Sequence, residues 1–102
     1  MNTNSEKFSC LAIDMGAGSV RVMLGTIMGK KIEYREVHRV TNEIVRIDGH
    51  DRWDINSLFK NIQEGIKKAI EAAKPAPSSI GVDSWGVDYV LLDKNGKLID
   101  MP

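Results

Sequence analysis

The stretch Ile13-Asp14-Met15-Gly16-Ala17-Gly18-Ser19-Val20-Arg21 closes one apolar run and opens another, and Gly81-Val82-Asp83-Ser84-Trp85-Gly86-Val87-Asp88 echoes it. In each, a carboxylate stands where an apolar strand ends. The glycines that follow let backbone N–H groups approach an anion. In the first motif Gly16 and Gly18 permit that approach, Ser19 offers a hydroxyl, and Arg21 can face an anion from the next strand. No Gly-Lys-Ser/Thr follows and the turn enters a strand, so neither the Walker loop nor the dinucleotide fingerprint applies. Asp14 at the strand end suits magnesium, a hard cation that takes carboxylate oxygens and keeps several waters.

The order of elements follows from the apolar periodicity around these turns. Phe8 to Ile13 reads as a buried strand, Asp14 to Ser19 as a turn, and Val20 to Met28 as a second strand. Gly29-Lys30-Lys31 signals a tight hairpin. Lys31 to Val40 reads as a third strand with Ile32, Tyr34, Glu36, His38 and Val40 on one face. Thr41 to Trp53 is polar and reads as a loop that can hold a short strand near Ile44 to Ile47.

Asp54 is a good N-cap for a helix whose apolar positions, Ile55, Leu58, Phe59, Ile62, Ile66, Ala69, Ile70 and Ala73, step by three and four; Pro75 ends it. Gly65, on the edge of that stripe, weakens the helix by about 1 kcal/mol against alanine. A helix crossing between strands implies that the next strand, Ile80 to Asp83, runs parallel to an earlier one. Asp83 is then expected beside Asp14. Val87 to Leu92 and Lys97 to Ile99 flank Asp93-Lys94-Asn95-Gly96 as an appended hairpin. The fold class is α/β, in the order βββαβ plus hairpin.

Composition bounds the function. At 102 residues the chain supports one small domain with one core. Apolar residues make up 42% and charged residues 27%, and 14 basic side chains balance 14 acidic ones, which argues against a polyanion held by bulk electrostatics. The single cysteine, Cys10, has no intramolecular disulfide partner, which favours a reducing compartment, with the cytoplasm expected. Met1 to Lys7 lacks the pattern of a signal peptide and is expected to fray, and no apolar run reaches the length of a membrane span.

Alone, a Gly-rich turn after a strand is equally a plain turn. The second motif shifts the balance, because two carboxylates at adjacent strand ends are costly unless a cation or proton neutralises them. Asp14 and Asp83 are therefore the candidate metal ligands. Trp85 can wall a ligand pocket or simply pack, and Asp88 is a cleft residue or an exposed strand position. Trp53 fits a hydrophobic staple at the helix start. His38 and His50 have no partners at metal spacing, and Lys67-Lys68 fits a solvated helix face.

On these residues the chain resembles the FGGY sugar kinases, most closely those acting on L-rhamnulose. The resemblance spans roughly Cys10 to Pro102 and includes Ile13 to Ala17, Val37-His38-Arg39, Trp53-Asp54 and the discriminating run Gly81 to Asp93. It implies an actin-type, ribonuclease-H-like fold, of which this chain is the opening portion of the first domain, with ATP bound between two domains. It further implies transfer of the ATP γ-phosphate to the 1-hydroxyl of L-rhamnulose with magnesium. It puts phosphate contacts at Ala17, Gly18, Ser19, Val20 and Arg21, a metal-facing carboxylate at Asp14 and a sugar contact at Gly86. The general base and the adenine-binding domain are expected outside this chain, so the chain alone is expected to be inactive.

Two residues depart from the family's pattern: Gly18 replaces a usual serine and Val20 a usual glycine. A β-branched Val20 would resist a positive φ there. Two other readings remain beside the kinase: a ribonuclease-H-like nuclease holding two metals on Asp14 and Asp83, and a non-catalytic module that self-associates through exposed sheet edges.

Overall fold

The computed structural model describes residues 6–102, so the expected fraying of residues 1–5 lies outside the described residues. Lys7, expected to fray with them, is paired with Met28 in the sheet. The first three strands, β1 (Lys7–Met15), β2 (Ser19–Met28) and β3 (Lys31–Thr41), form an antiparallel meander. A two-stranded ribbon of β4 (Ile44–Ile47) and β5 (His50–Trp53) follows, and then α1 (Ile55–Ala72) and β6 (Pro77–Ser84). The main sheet has the order β3-β2-β1-β6, with β6 parallel to β1.

Alternation decides which face of the sheet is covered. Leu11 and Ile13 of β1 and Val22 and Leu24 of β2 point to one face, where they pack with Ala69 and Ala73 of the helix. Met15, Val37, Ile62 and Ile66 close the cluster. Full burial of a side chain such as Ile13 or Val22 contributes about 1.5–3 kcal/mol. The intervening residues, among them Asp14, Ser19 and Arg21, alternate to the open face.

The helix starts where its sequence says it should. Asp54 caps it, accepting from the Ser57 backbone N–H at 3.2 Å and from Ser57 Oγ at 3.0 Å. These bonds, the backbone one foremost, hold the Asp54 carboxyl below its ordinary range. Gly65 is more than a weak point. It is buried, and a Cβ there would strike Val22 Cγ2, so the helix lies close against the sheet at this residue. Phe59 and Ile70, assigned to the buried stripe, remain 61% and 54% exposed. Eleven residues is close to three full turns, so both lie on one flank beyond the width that the sheet covers.

The third strand differs from the simple alternation. Val22 pairs with His38 and Met23 with Glu36, so Val37 is an extra residue in a bulge. The bulge splits the expected face. His38 and Val40 share the helix side with Val22 and Val20, whereas Ile32, Tyr34 and Glu36 share the opposite side with Ile27, Gly25 and Met23. The expected C-terminal hairpin is reduced to one bridge, Leu92 to Leu98, closed by Asp93 N–H donating to Lys97 O at 2.8 Å. Its turn does form, with Gly96 at φ 78° and Asp93 Oδ1 accepting from the Asn95 and Lys97 N–H groups.

Candidate phosphate and sugar site

Asp14 and Asp83 are cross-strand neighbours, as the helix crossing implied. The row extends further, because Arg39 of β3 pairs with Arg21 of β2, Arg21 with Asp14 of β1, and Asp14 with Asp83 of β6. Two cations and two anions thus lie in line across the end of the sheet. Arg21 Nη2 is 3.1 Å from Asp14 Oδ2, so a guanidinium supplies part of the positive charge that the carboxylate pair requires. Arg39 is gripped by Glu36, with Nε donating at 2.8 Å and Nη2 at 2.6 Å from the carboxylate. The hydrogen bond from Arg39 holds the Glu36 carboxyl below its ordinary range. Among the described residues there is no cluster of three or more side chains of metal-ligating type.

The turn between β1 and β2 is closed by the Gly16 N–H donating to Ser19 O at 3.0 Å. A Cβ on Gly16 would lie 2.7 Å from Arg21 Nη2 and 3.3 Å from Ser19 O, so alanine there would require the guanidinium to move. Gly18 has open space around it and no such constraint. Asn42 secures the turn from β3's end, donating Nδ2 to Gly16 O at 2.8 Å and to Ala17 O at 3.2 Å.

Val20 sits differently from the expectation. It lies within β2, wholly buried and paired with Val40, and is not among the residues of positive φ. No left-handed backbone is asked of it, and its side chain belongs to the core, away from Asp14 and Arg21. The β-branched residue that does adopt a positive φ is Val87, at 71° and 98% exposed, inside the second motif. A β-branched side chain disfavours that region.

The second motif leaves the sheet beside the first: the Trp85 N–H donates to Met15 O at 3.2 Å. Asp88, outside any strand, gathers two indoles, with Oδ2 accepting from Trp85 Nε1 at 2.5 Å and from Trp53 Nε1 at 3.1 Å. The two rings tilt against each other with centroids 5.2 Å apart. Trp53, assigned to a staple on the helix, therefore meets the second motif. A hollow of about 220 Å³ lies among these rings, Met15, Leu58, Asp88 and Tyr89. Gly86 is exposed, with nothing crowding its Cα.

The structure therefore brings Asp14, Gly16, Ala17, Gly18, Ser19, Arg21 and Asp83 to one end of the sheet, and Trp85 and Asp88 next to it. Arg39, Asn42 and Trp53 complete these groups without belonging to either motif. Arg39 and Trp53 stood in segments carrying the family resemblance, while nothing in the sequence singled out Asn42.

The chain is similar to known carbohydrate kinases over most of its length. The model of the N-terminal domain of the FGGY family of carbohydrate kinases matches residues 9–101. A rhamnulokinase of Klebsiella pneumoniae strain 342 is 45% identical over 95 residues, covering 91% of this chain and 19% of that protein. A rhamnulokinase of Pectobacterium atrosepticum strain SCRI 1043 is 48% identical over 94 residues, covering 90% of this chain and again 19% of the relative. The chain spans that small share of the relatives it matches. With its mixed sheet, its Asp-Gly turns in register and a family match over nearly its whole length, the chain belongs to the FGGY family of carbohydrate kinases.

Proposed function

We propose that this chain is the opening portion of the first domain of a rhamnulokinase-like enzyme, which transfers the ATP γ-phosphate to the 1-hydroxyl of L-rhamnulose in the cytoplasm. The observation that carries the reading is the Asp14–Arg21 pair beside the open Gly16–Ser19 turn at the end of β1. Phosphoryl transfer depends on positioning and on compensating the charge of the transferring group. Arg21 and the turn's N–H groups supply positive potential, and Asp14, with Asp83 across the ladder, supplies carboxylate oxygen for magnesium. Bound magnesium neutralises charge on the phosphate oxygens.

The sugar side of the reading is Gly86, Trp85 and Asp88. Asp88 has a second oxygen free to accept from a sugar hydroxyl, and the paired indoles offer an apolar wall. The general base and adenine-binding residues lie outside this chain in this reading, so the 102 residues alone transfer no phosphate. With balanced charge, neither nucleic acid nor a membrane is a partner; no described helix is long and apolar enough to cross a membrane. Among the described residues the outer strands β3 and β6 pair on one side only, leaving edges through which isolated copies can associate.

The test is a coupled ADP-release assay on the full-length protein carrying this chain, with magnesium-ATP and L-rhamnulose, L-fuculose, D-xylulose and glycerol in parallel. Selective turnover of L-rhamnulose supports the proposal. A well-folded protein that turns over none of the four contradicts it.

A further inference from the structure

The turn after β1 is held by a side chain that neither motif contains. Asn42, the first residue beyond β3, donates Nδ2 to Gly16 O at 2.8 Å and to Ala17 O at 3.2 Å, and its backbone N–H to Gly18 O at 3.0 Å. Three successive carbonyls therefore face Asn42. Two acceptors beside one end of the amide fix that end as nitrogen. Both peptide bonds concerned are trans, and in a trans peptide the N–H points opposite to the C=O. The group opposite Gly16 O is the Ala17 N–H, and the group opposite Ala17 O is the Gly18 N–H. Both are turned away from Asn42, and among the described residues neither meets an acceptor.

We infer that Asn42 is a positioning residue that aims the Ala17 and Gly18 amides at a polyphosphate bound on the turn. A glycine-rich turn left to itself samples many peptide orientations. Donors fixed before the ligand arrives need no reorganisation when it binds. The inference rests on the reading of the turn as a phosphate seat, and the experiment separates the two.

The Ala17 and Gly18 amide signals of the 15N-labelled full-length protein carrying this chain are followed during titration with magnesium tripolyphosphate, a probe that needs no adenine pocket, for the wild type, Asn42→Ala and Asn42→Gln. In the wild type the Ala17 and Gly18 amides shift on binding. Asn42→Ala weakens binding by about tenfold, the loss expected when two charge-assisted donors are no longer fixed. Asn42→Gln, which keeps the donor on a longer side chain, recovers part of that affinity. A merely structural role would lower the melting temperature of Asn42→Ala and leave its affinity unchanged, which overturns the inference alone. Absence of any shift at Ala17 and Gly18 in the wild type overturns the phosphate seat, and the inference with it.

Discussion

Replacing Gly65 by alanine separates close packing from helix propensity, because the two push in opposite directions. At an ordinary helix position the change stabilises by about 1 kcal/mol. Here the new methyl overlaps Val22 Cγ2 and lies 3.1 Å from Val22 Cβ and 3.0 Å from His38 Cδ2. Val22 is wholly buried in a strand paired on both sides and has nowhere to retreat, so the helix must lift. Overpacking of this kind costs about 1–3 kcal/mol. Set against the propensity gain, the expected net loss is about 1 kcal/mol, or about 4–8 °C in melting temperature for a domain of this size. Urea unfolding followed by circular dichroism measures it, alongside Val22→Ala and the double variant. Removing the Val22 methyls first should reverse the sign of the Gly65→Ala effect, giving a coupling that independent sites do not show. Stabilisation by Gly65→Ala in the wild-type background would mean that the helix is not held against Val22 at this residue.

Three other outcomes follow from the geometry. Gly16→Ala should crowd the Arg21 guanidinium away from the turn and weaken magnesium-ATP binding by about tenfold, whereas Gly18→Ala, with open space around it, should bind as the wild type does; equal losses in a calorimetric titration would contradict this. Asp54 has a folded pKa below its ordinary value of 3.8, so its contribution to stability is complete above that pH and is lost as pH falls through the lower folded value; helix content should drop in that acid window, and Asp54→Asn should flatten that part of the profile. Asp88→Ala removes the acceptor shared by both indoles and should shift tryptophan emission to the red; an unchanged spectrum would show that Asp88 does not hold the pair.

The meander was legible in the sequence because its strands alternate in the ordinary way and Gly29-Lys30 marks its hairpin. The Asp14–Asp83 register was legible because a helix between strands implies a parallel return. The Val37 bulge carried no signal, since Ile32, Tyr34, His38 and Val40 keep their period of two along the chain although the bulge puts the two halves on opposite faces. Phe59 and Ile70 satisfy helical periodicity perfectly well, and only the width of the sheet decides that they stay exposed. Asn42 stands 25 and 26 residues from the carbonyls it grips, and a lone asparagine at the end of a strand looks like any turn residue. The appended hairpin had the right turn chemistry, and Gly96 adopts it, yet too little pairing follows to make two strands.

On the proposed function, magnesium-ATP seats its phosphates and metal at Asp14 and the turn that follows. Calorimetric titration of ATP into the full-length wild type and Asp14→Asn, with and without magnesium, tests it most directly. With magnesium, Asp14→Asn should bind about tenfold more weakly with an unchanged circular dichroism spectrum, because the metal loses a carboxylate. Without magnesium the order should invert, since the variant removes a negative charge beside the phosphates and frees Arg21 to meet them. Equal affinity of the two proteins in the presence of magnesium would mean that Asp14 holds no metal at the phosphates.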